Sequence, residues 1–367
     1  MTIPTLPNRN APLDVLRGLA VAAMIIVCNP GSQFYVFPQL KNSMWAGCTM
    51  ADLVFPFFLF IAGAAMLFSF NRKGNEFDKE TLSKIGKRSL TLFLIGFAIN
   101  AFPFFTINWS DLHIFGPLQR FALVYGLSAC IALWLKKPQK ILLAVVALIL
   151  VHWGILAIFG DYSREGNIAG KIDIFLVGKR HLPEIIETPF DSYGILGTIS
   201  GAATMLTGYL LGWFIANVRD KKILLQRAFG MGAIAIAVGL LWSDSLPLNK
   251  PLWTSSFALF SAGWATLALA LCVYVGERNN MQKYLYPFRV LGANSLAIYV
   301  MSEIFTYTFS HVRTLSGYQL RTWIYNNTYM AVLGDNEWAS LAYAIVFLAL
   351  TYLFAIALYR QKIFLKV

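Results

Sequence analysis

LKNSMWAGCTMADLVFPFFLFIAG, from Leu40 to Gly63, decides the fold. A polar, small-residue stretch gives way to an apolar run long enough to enter a bilayer core of about 30 Å. Asp52 stands where the apolar run begins, and Asn42 stands ten residues before it. A carboxylate at a membrane boundary is costly unless it faces a cavity or a partner. The same apolar texture recurs through all 367 residues, which are 57% hydrophobic and 13% charged. A soluble domain carries about 25% charged residues. The mean hydropathy of +0.60 agrees. The chain therefore reads as an all-α polytopic membrane protein.

Ten candidate helices follow, near 12–30, 51–70, 84–102, 116–135, 139–159, 192–216, 223–243, 252–275, 287–307 and 338–359. They predict a single transmembrane domain over 1–367. The polar N-terminus shows no short apolar core before a cleavage site, so the first helix reads as retained. Most of the 30 Lys and Arg residues fall in alternate loops, including Arg72, Lys84, Lys136, Arg219, Arg278 and Arg360. The positive-inside rule then puts both termini in the cytoplasm. The net charge of +12 is thus mainly topology, and no nucleic-acid partner is expected. Two longer extracytoplasmic segments, 160–191 and 308–336, mix Gly, Asn, Asp and aromatics and read as ordered. No internal repeat is visible. Cys28, Cys48, Cys130 and Cys272 form no CxxC pair, so no disulfide framework and no metal site is expected; they read as small buried residues.

Under this topology, polar groups gather at the outer ends of several helices. Asn29, Asp52, Asn100, Gln119, Arg120, Asp191 and Glu303 all lie there. Each alone could cap a helix; together they suggest a polar outer pocket, with Asp52 and Arg120 offsetting each other's charge. Trp45 and Trp109 are either interfacial aromatics or the apolar wall of a sugar site. His113, at a loop edge, reads as a structural histidine. At the inner end Asp14 and Arg17, three apart, share a helix face and can pair. Lys84, Lys87 and Arg88 either anchor the inner boundary or bind a phosphorylated ligand.

Several motifs resemble one family. They are LDVLRG (Leu13–Gly18), Asn29, WAGCTMADLVFPFFLFIAG (Trp45–Gly63), IFGPLQR (Ile114–Arg120), FDSYGILGTI (Phe190–Ile199), KPLWTSSF (Lys250–Phe257), GANSLAIYV (Gly292–Val300) and the terminal RQKIFLKV. Together they resemble the transmembrane N-acetyltransferases that act on glucosamine, the heparan-α-glucosaminide N-acetyltransferases and their bacterial relatives. The resemblance implies acetyl transfer across a membrane, from cytoplasmic acetyl-CoA to the amine of a terminal amino sugar outside. It implies a multi-pass protein of a bacterial inner membrane, in contact with lipid and open to pairing as a homodimer. Trp45, Asn100, Gln119, Arg120, Asp191 and Glu303 become acceptor-site candidates. Arg17, Arg88, Asn294 and Ser295 become candidates for the acetyl-CoA side. Asn29, Asn42 and Asp52 become candidates for the reacting centre.

One departure matters. The family's catalytic histidine position, three residues before the Trp of the motif, is Asn42 here. An amide is neither a base nor a good nucleophile, although it can hold a carbonyl or an oxyanion by hydrogen bonds. Three readings stay open: an engineered exchange that stops turnover, a natural member using Asp52 or His113 as base, or a protein that binds or transports an amino sugar without catalysis. An O-acyltransferase of envelope polysaccharides is a further reading, because LDxxRG occurs there too.

Overall fold

The apolar runs fold as helices because, without water, only a helix or a closed barrel satisfies the backbone internally. In the computed structural model, residues 11–364 are described except 75, 104–107, 186–187, 277 and 316. The last three residues of the terminal RQKIFLKV motif lie outside the described residues. The helices are α1 (Ala11–Cys28), α2 (Met50–Lys73), α3 (Lys79–Asn100), α4 (Pro117–Leu135), α5 (Pro138–Phe159), α6 (Ile168–Val177), α7 (Gly197–Asn217), α8 (Lys221–Trp242), α9 (Ser255–Gly276), α10 (Gln282–Ala293), α11 (Ser295–His311), α12 (Leu320–Ile324), α13 (Ala331–Leu333) and α14 (Glu337–Arg360). A minimal antiparallel hairpin pairs β1 (Glu184–Ile185) with β2 (Thr188–Pro189).

Eight of these helices, α1, α2, α4, α5, α7, α8, α9 and α14, are long and apolar enough to cross a membrane. Two of the ten expected spans differ. The run expected as α3 gains a charged first half from Lys79 onward, ahead of its apolar part. The run expected as one helix over 287–307 is two. It breaks at Asn294, whose backbone leaves the helical region and whose amide Nδ2 donates to the carbonyl of Ile363 at 2.8 Å. The described residues of 160–191 and 308–336 form short helices, turns and the two-residue hairpin strands. Of the cysteines, only Cys272 is buried and Cys28 is exposed, which corrects the expectation of four buried thiols; Cys28 is the last residue of α1, where the helix leaves its packing.

Contacts group the chain into two units. One holds the described residues within Met1–Leu40 and Ala268–Lys366, the other Lys41–Leu267. In the first, α1 packs on α10, α11 and α14. In the second, α2 packs along α7, while α3 packs on α4 and α5 on α7. The α2–α7 contact is backbone on backbone: a Cβ at Gly208 would lie 2.0 Å from the carbonyl oxygen of Phe60. Small residues permit this approach, and dispersion then replaces the hydrophobic drive that lipid does not supply. Leu59, Val124, Ile141, Met205, Leu206 and Phe257 lie at the core of this unit.

Candidate functional site

The second unit gathers polar side chains at one end, where α2, α4, α7 and α9 begin and α3 and α5 finish. The loop before α2 is the starting point. Gly47 has φ of +108°, a left-handed conformation that favours glycine, and its amide donates to the carbonyl of Leu248 at 2.7 Å. The buried carboxylate of Asp52 accepts from the backbone amides of Ser43 and Thr49, both at 3.0 Å. It thus caps α2 and folds the loop over the helix N-terminus, where a negative charge is favoured. Pro56, four residues on, has no N–H to give the carbonyl of Asp52.

The other oxygen of Asp52 pairs with Lys250 Nζ at 3.4 Å. The same ammonium donates to Asn42 Oδ1 at 2.8 Å. Asn42, Lys250 and Asp52 therefore form one network. Lys250 was not singled out as a site residue from sequence; its signals were its place in KPLWTSSF and its position outside the basic loops. The partner expected for Asp52 was Arg120, and that pair is not formed among the described residues. Cys48 in the same loop is no rival nucleophile. Burial and the nearby Asp52 push its thiol up to about 12 against the opposing pull of Lys250, so it is no thiolate at neutral pH.

Arg120, in the first turn of α4, is fully buried. Its Nη2 donates to the carbonyl of Gly194 at 2.7 Å, and its guanidinium lies 5.5 Å from the ring of Trp253. A Cβ at Gly197 would fall 2.3 Å from that same Nη2. Asp173 and Asp191 supply the opposing charge. Asp173 Oδ1 accepts from the amide of Ile195 at 2.9 Å. These contacts bind the turn 191–196 into place, and they explain why α7 starts at Gly197 rather than near 192. Trp253 has φ of +53°, unusual for a bulky residue. It is held by Phe55 and Phe257 edge-on at 5.5 Å and by the Ser200 hydroxyl, which donates to its carbonyl at 2.5 Å.

Asp173 carries a pH dependence. Burial pushes its carboxyl up from 3.8 to about 6, Asp191 adds to this, and the Ile195 amide and Arg120 pull against it. The folded value lies above the unfolded one. Stability from the neutral acid is therefore full below the unfolded value and lost as pH rises through about 6, up to roughly 3 kcal/mol. Asp173→Asn keeps an acceptor for Ile195 and is expected to flatten this decline, as thermal unfolding from acidic to neutral pH would show.

The remaining candidates divide by role. Asn100 Nδ2 donates to the carbonyls of His113 at 2.9 Å and Phe115 at 2.8 Å, so it shapes the loop before α4. Gln119 Nε2 donates to the carbonyl of Ile114 at 3.1 Å, and its buried Oε1 has no hydrogen-bond partner among the described residues. Trp45 Nε1 donates to the carbonyl of Tyr162 at 2.7 Å, with its ring edge-on to Phe190 at 4.9 Å. Trp109 is exposed. His113 Nε2 meets Asp191 Oδ2 at 2.5 Å. Arg88 donates to the hydroxyl of Tyr125 at 3.2 Å and lies over its ring, beside exposed Lys84 and Lys87.

The first unit holds the others. Buried Asn29 donates to the Ile25 carbonyl at 3.0 Å and accepts from the Thr306 hydroxyl at 2.6 Å. Thr306 lies one turn after Glu303 on α11. Arg17 pairs with Asp14 at 2.8 Å, as its spacing predicts, and reaches the carbonyl of Gly292 at 3.3 Å. Ser295 opens α11 after Asn294. No group of three or more metal-ligating side chains occurs among the described residues.

A family model described as "Heparan-alpha-glucosaminide N-acetyltransferase, catalytic" matches residues 9–236. Human heparan-alpha-glucosaminide N-acetyltransferase is 28% identical over 425 aligned residues, covering 100% of this chain and 61% of that protein. The mouse protein of the same name is 27% identical over 419 residues, covering 98% and 61%. The chain thus spans about three fifths of the length of the curated relatives it matches.

Proposed function

Because the chain belongs to the heparan-alpha-glucosaminide N-acetyltransferase catalytic family, we propose that it is built to move an acetyl group across a bacterial inner membrane. The donor is cytoplasmic acetyl-CoA, and the acceptor is the amine of a terminal glucosamine or related amino sugar on the other side. Position 42 is where the chain is disabled. One observation carries this reading. The family motif survives around residue 42, and that side chain accepts from Lys250, a cation itself paired with Asp52, so the group held there lacks only basicity.

The roles follow from the contacts. Asp52 folds the loop and fixes Lys250. Lys250 donates a charged hydrogen bond to whatever stands at 42 or to an oxyanion beside it. Arg120, Gln119 and Asp191 build the polar floor, with Trp45 as a wall. Asn29 and Glu303 lie in the first unit, where Thr306, one turn after Glu303, donates to Asn29. On the donor side, Arg17 and Asn294 already have protein partners. Arg88, although it donates to Tyr125, is exposed beside Lys84 and Lys87, and this exposed basic group is better placed for phosphates.

Purified protein in proteoliposomes should bind labelled acetyl-CoA saturably. It should also transfer label to glucosamine once histidine is restored at 42. Absence of both sinks the reading, and sugar uptake without acetyl-CoA would make the chain a transporter. Lys250→Met in the restored chain is expected to lower kcat by about 10²-fold, the scale of one lost oxyanion donor, with KM for glucosamine little changed.

A further inference from the structure

His113 and Asp191 are 78 positions apart in sequence and meet through a 2.5 Å contact between Nε2 and Oδ2. The Asp191 side chain is 1% exposed, and its Oδ1 accepts from the amide of Tyr193 at 2.7 Å. The His113 side chain is 36% exposed. Its backbone is clamped by Asn100 on its own carbonyl and by His181 Nδ1, which donates to the carbonyl of Leu112 at 2.8 Å. The imidazole is therefore held by a buried carboxylate on one nitrogen. Its other nitrogen, Nδ1, has no hydrogen-bond partner among the described residues.

That is the arrangement of a general base. A carboxylate on one ring nitrogen holds the proton there, leaves the lone pair on the other, and stabilises the imidazolium that forms. The segment that carries Asp191 also touches both stretches that carry the residue 42 network. Phe190 packs on Trp45, three residues after Asn42. Tyr193 packs edge-on to Phe55 at 5.5 Å, three residues after Asp52.

We infer that His113, oriented by Asp191, is the base that deprotonates an ammonium-bearing acceptor. This rests on the function proposed above. His113 Nδ1 takes one proton from the sugar ammonium and leaves a neutral amine. The amine attacks the carbonyl carbon of the acetyl thioester. The C–N bond forms, the C–S bond breaks, and the departing thiolate takes the second amine proton. The imidazolium gives its proton to water at its exposed edge. The products are one amide, one thiol and one proton. Residue 42 then serves the acetyl group and His113 the amine, so the two are separable.

The test uses the full chain in proteoliposomes, with Asn42 and with Asn42→His, and labelled acetyl-CoA. Two acceptors are compared at mildly acidic pH: glucosamine, mainly an ammonium, and an O-alkylhydroxylamine, mainly a neutral amine. His113→Gln keeps a donor for Asp191 and has no basic nitrogen. It is expected to lower transfer to glucosamine by about 10²–10⁴-fold and to leave transfer to the hydroxylamine nearly unchanged. In His113→Ala, added imidazole should restore part of the glucosamine rate. Equal losses on both acceptors, or no loss on either, would overturn the assignment and leave His113 a loop brace. No transfer by any chain to either acceptor would overturn the functional reading, and the assignment with it.

Discussion

Asn42→His is expected to raise acetyl transfer from acetyl-CoA to glucosamine by about 10²–10⁴-fold, the range a positioned acid–base group supplies. The present side chain accepts a hydrogen bond from Lys250 at 2.8 Å but can take neither a proton nor an acetyl group. An imidazole on the same backbone could take either. Its neighbours favour that. The Lys250 ammonium disfavours a second positive charge beside it, which keeps an imidazole neutral and its lone pair available. Asp52, tied to Lys250 and to the amides of Ser43 and Thr49, keeps the loop from yielding to the new ring. Initial rates with radiolabelled acetyl-CoA, for the chain and its variant at equal protein, decide the matter. Equal rates would take residue 42 off the reaction path and move attention to Asp52 and His113. Equal binding of acetyl-CoA by both chains with a rate gain only in the variant would show that the exchange acts on chemistry.

The fold class was legible because the bilayer imposes it: apolar runs of spanning length must be helices, and eight of them are. The break at Asn294 was not legible, because hydropathy continues across it and the bond that holds the asparagine there, to Ile363, spans 69 positions. Asp52, Arg120 and Asp191 were legible as groups too costly to sit unpartnered at a membrane boundary. Their partners were not. Lys250 reaches Asn42 across 208 positions and His113 reaches Asp191 across 78, distances over which periodicity carries no information. Asp52 and Arg120 have opposite charges at the same membrane end, which made them an economical pair on paper. Packing instead gave each its own counter-charge. Lys250 was not singled out, since charge alone does not reveal that only 14% of its side chain remains exposed.

Arg120→Leu is expected to destabilise the protein by about 3–5 kcal/mol, a large part of what a typical fold possesses. The side chain has no water to fall back on, and its removal leaves Asp173 and Asp191 buried without their cation. It also leaves the Gly194 carbonyl without a donor. Replacing a buried ion group by apolar residues throughout can be neutral, but removing one partner alone is not. The two cases can be separated. Arg120→Leu with Asp173→Asn deletes one stranded charge along with the cation and should recover part of the loss. Arg120→Lys keeps the charge but not the planar fork that reaches Gly194, and should fall between parent and Arg120→Leu. Thermal unfolding followed by the fluorescence of the chain's 10 tryptophans reads all four proteins on one scale. An Arg120→Leu protein that melts with the parent would mean the turn 191–196 holds without its buried cation. A large loss with recovery in the double variant would tie that turn, and with it the position of Asp191 under His113, to one buried guanidinium.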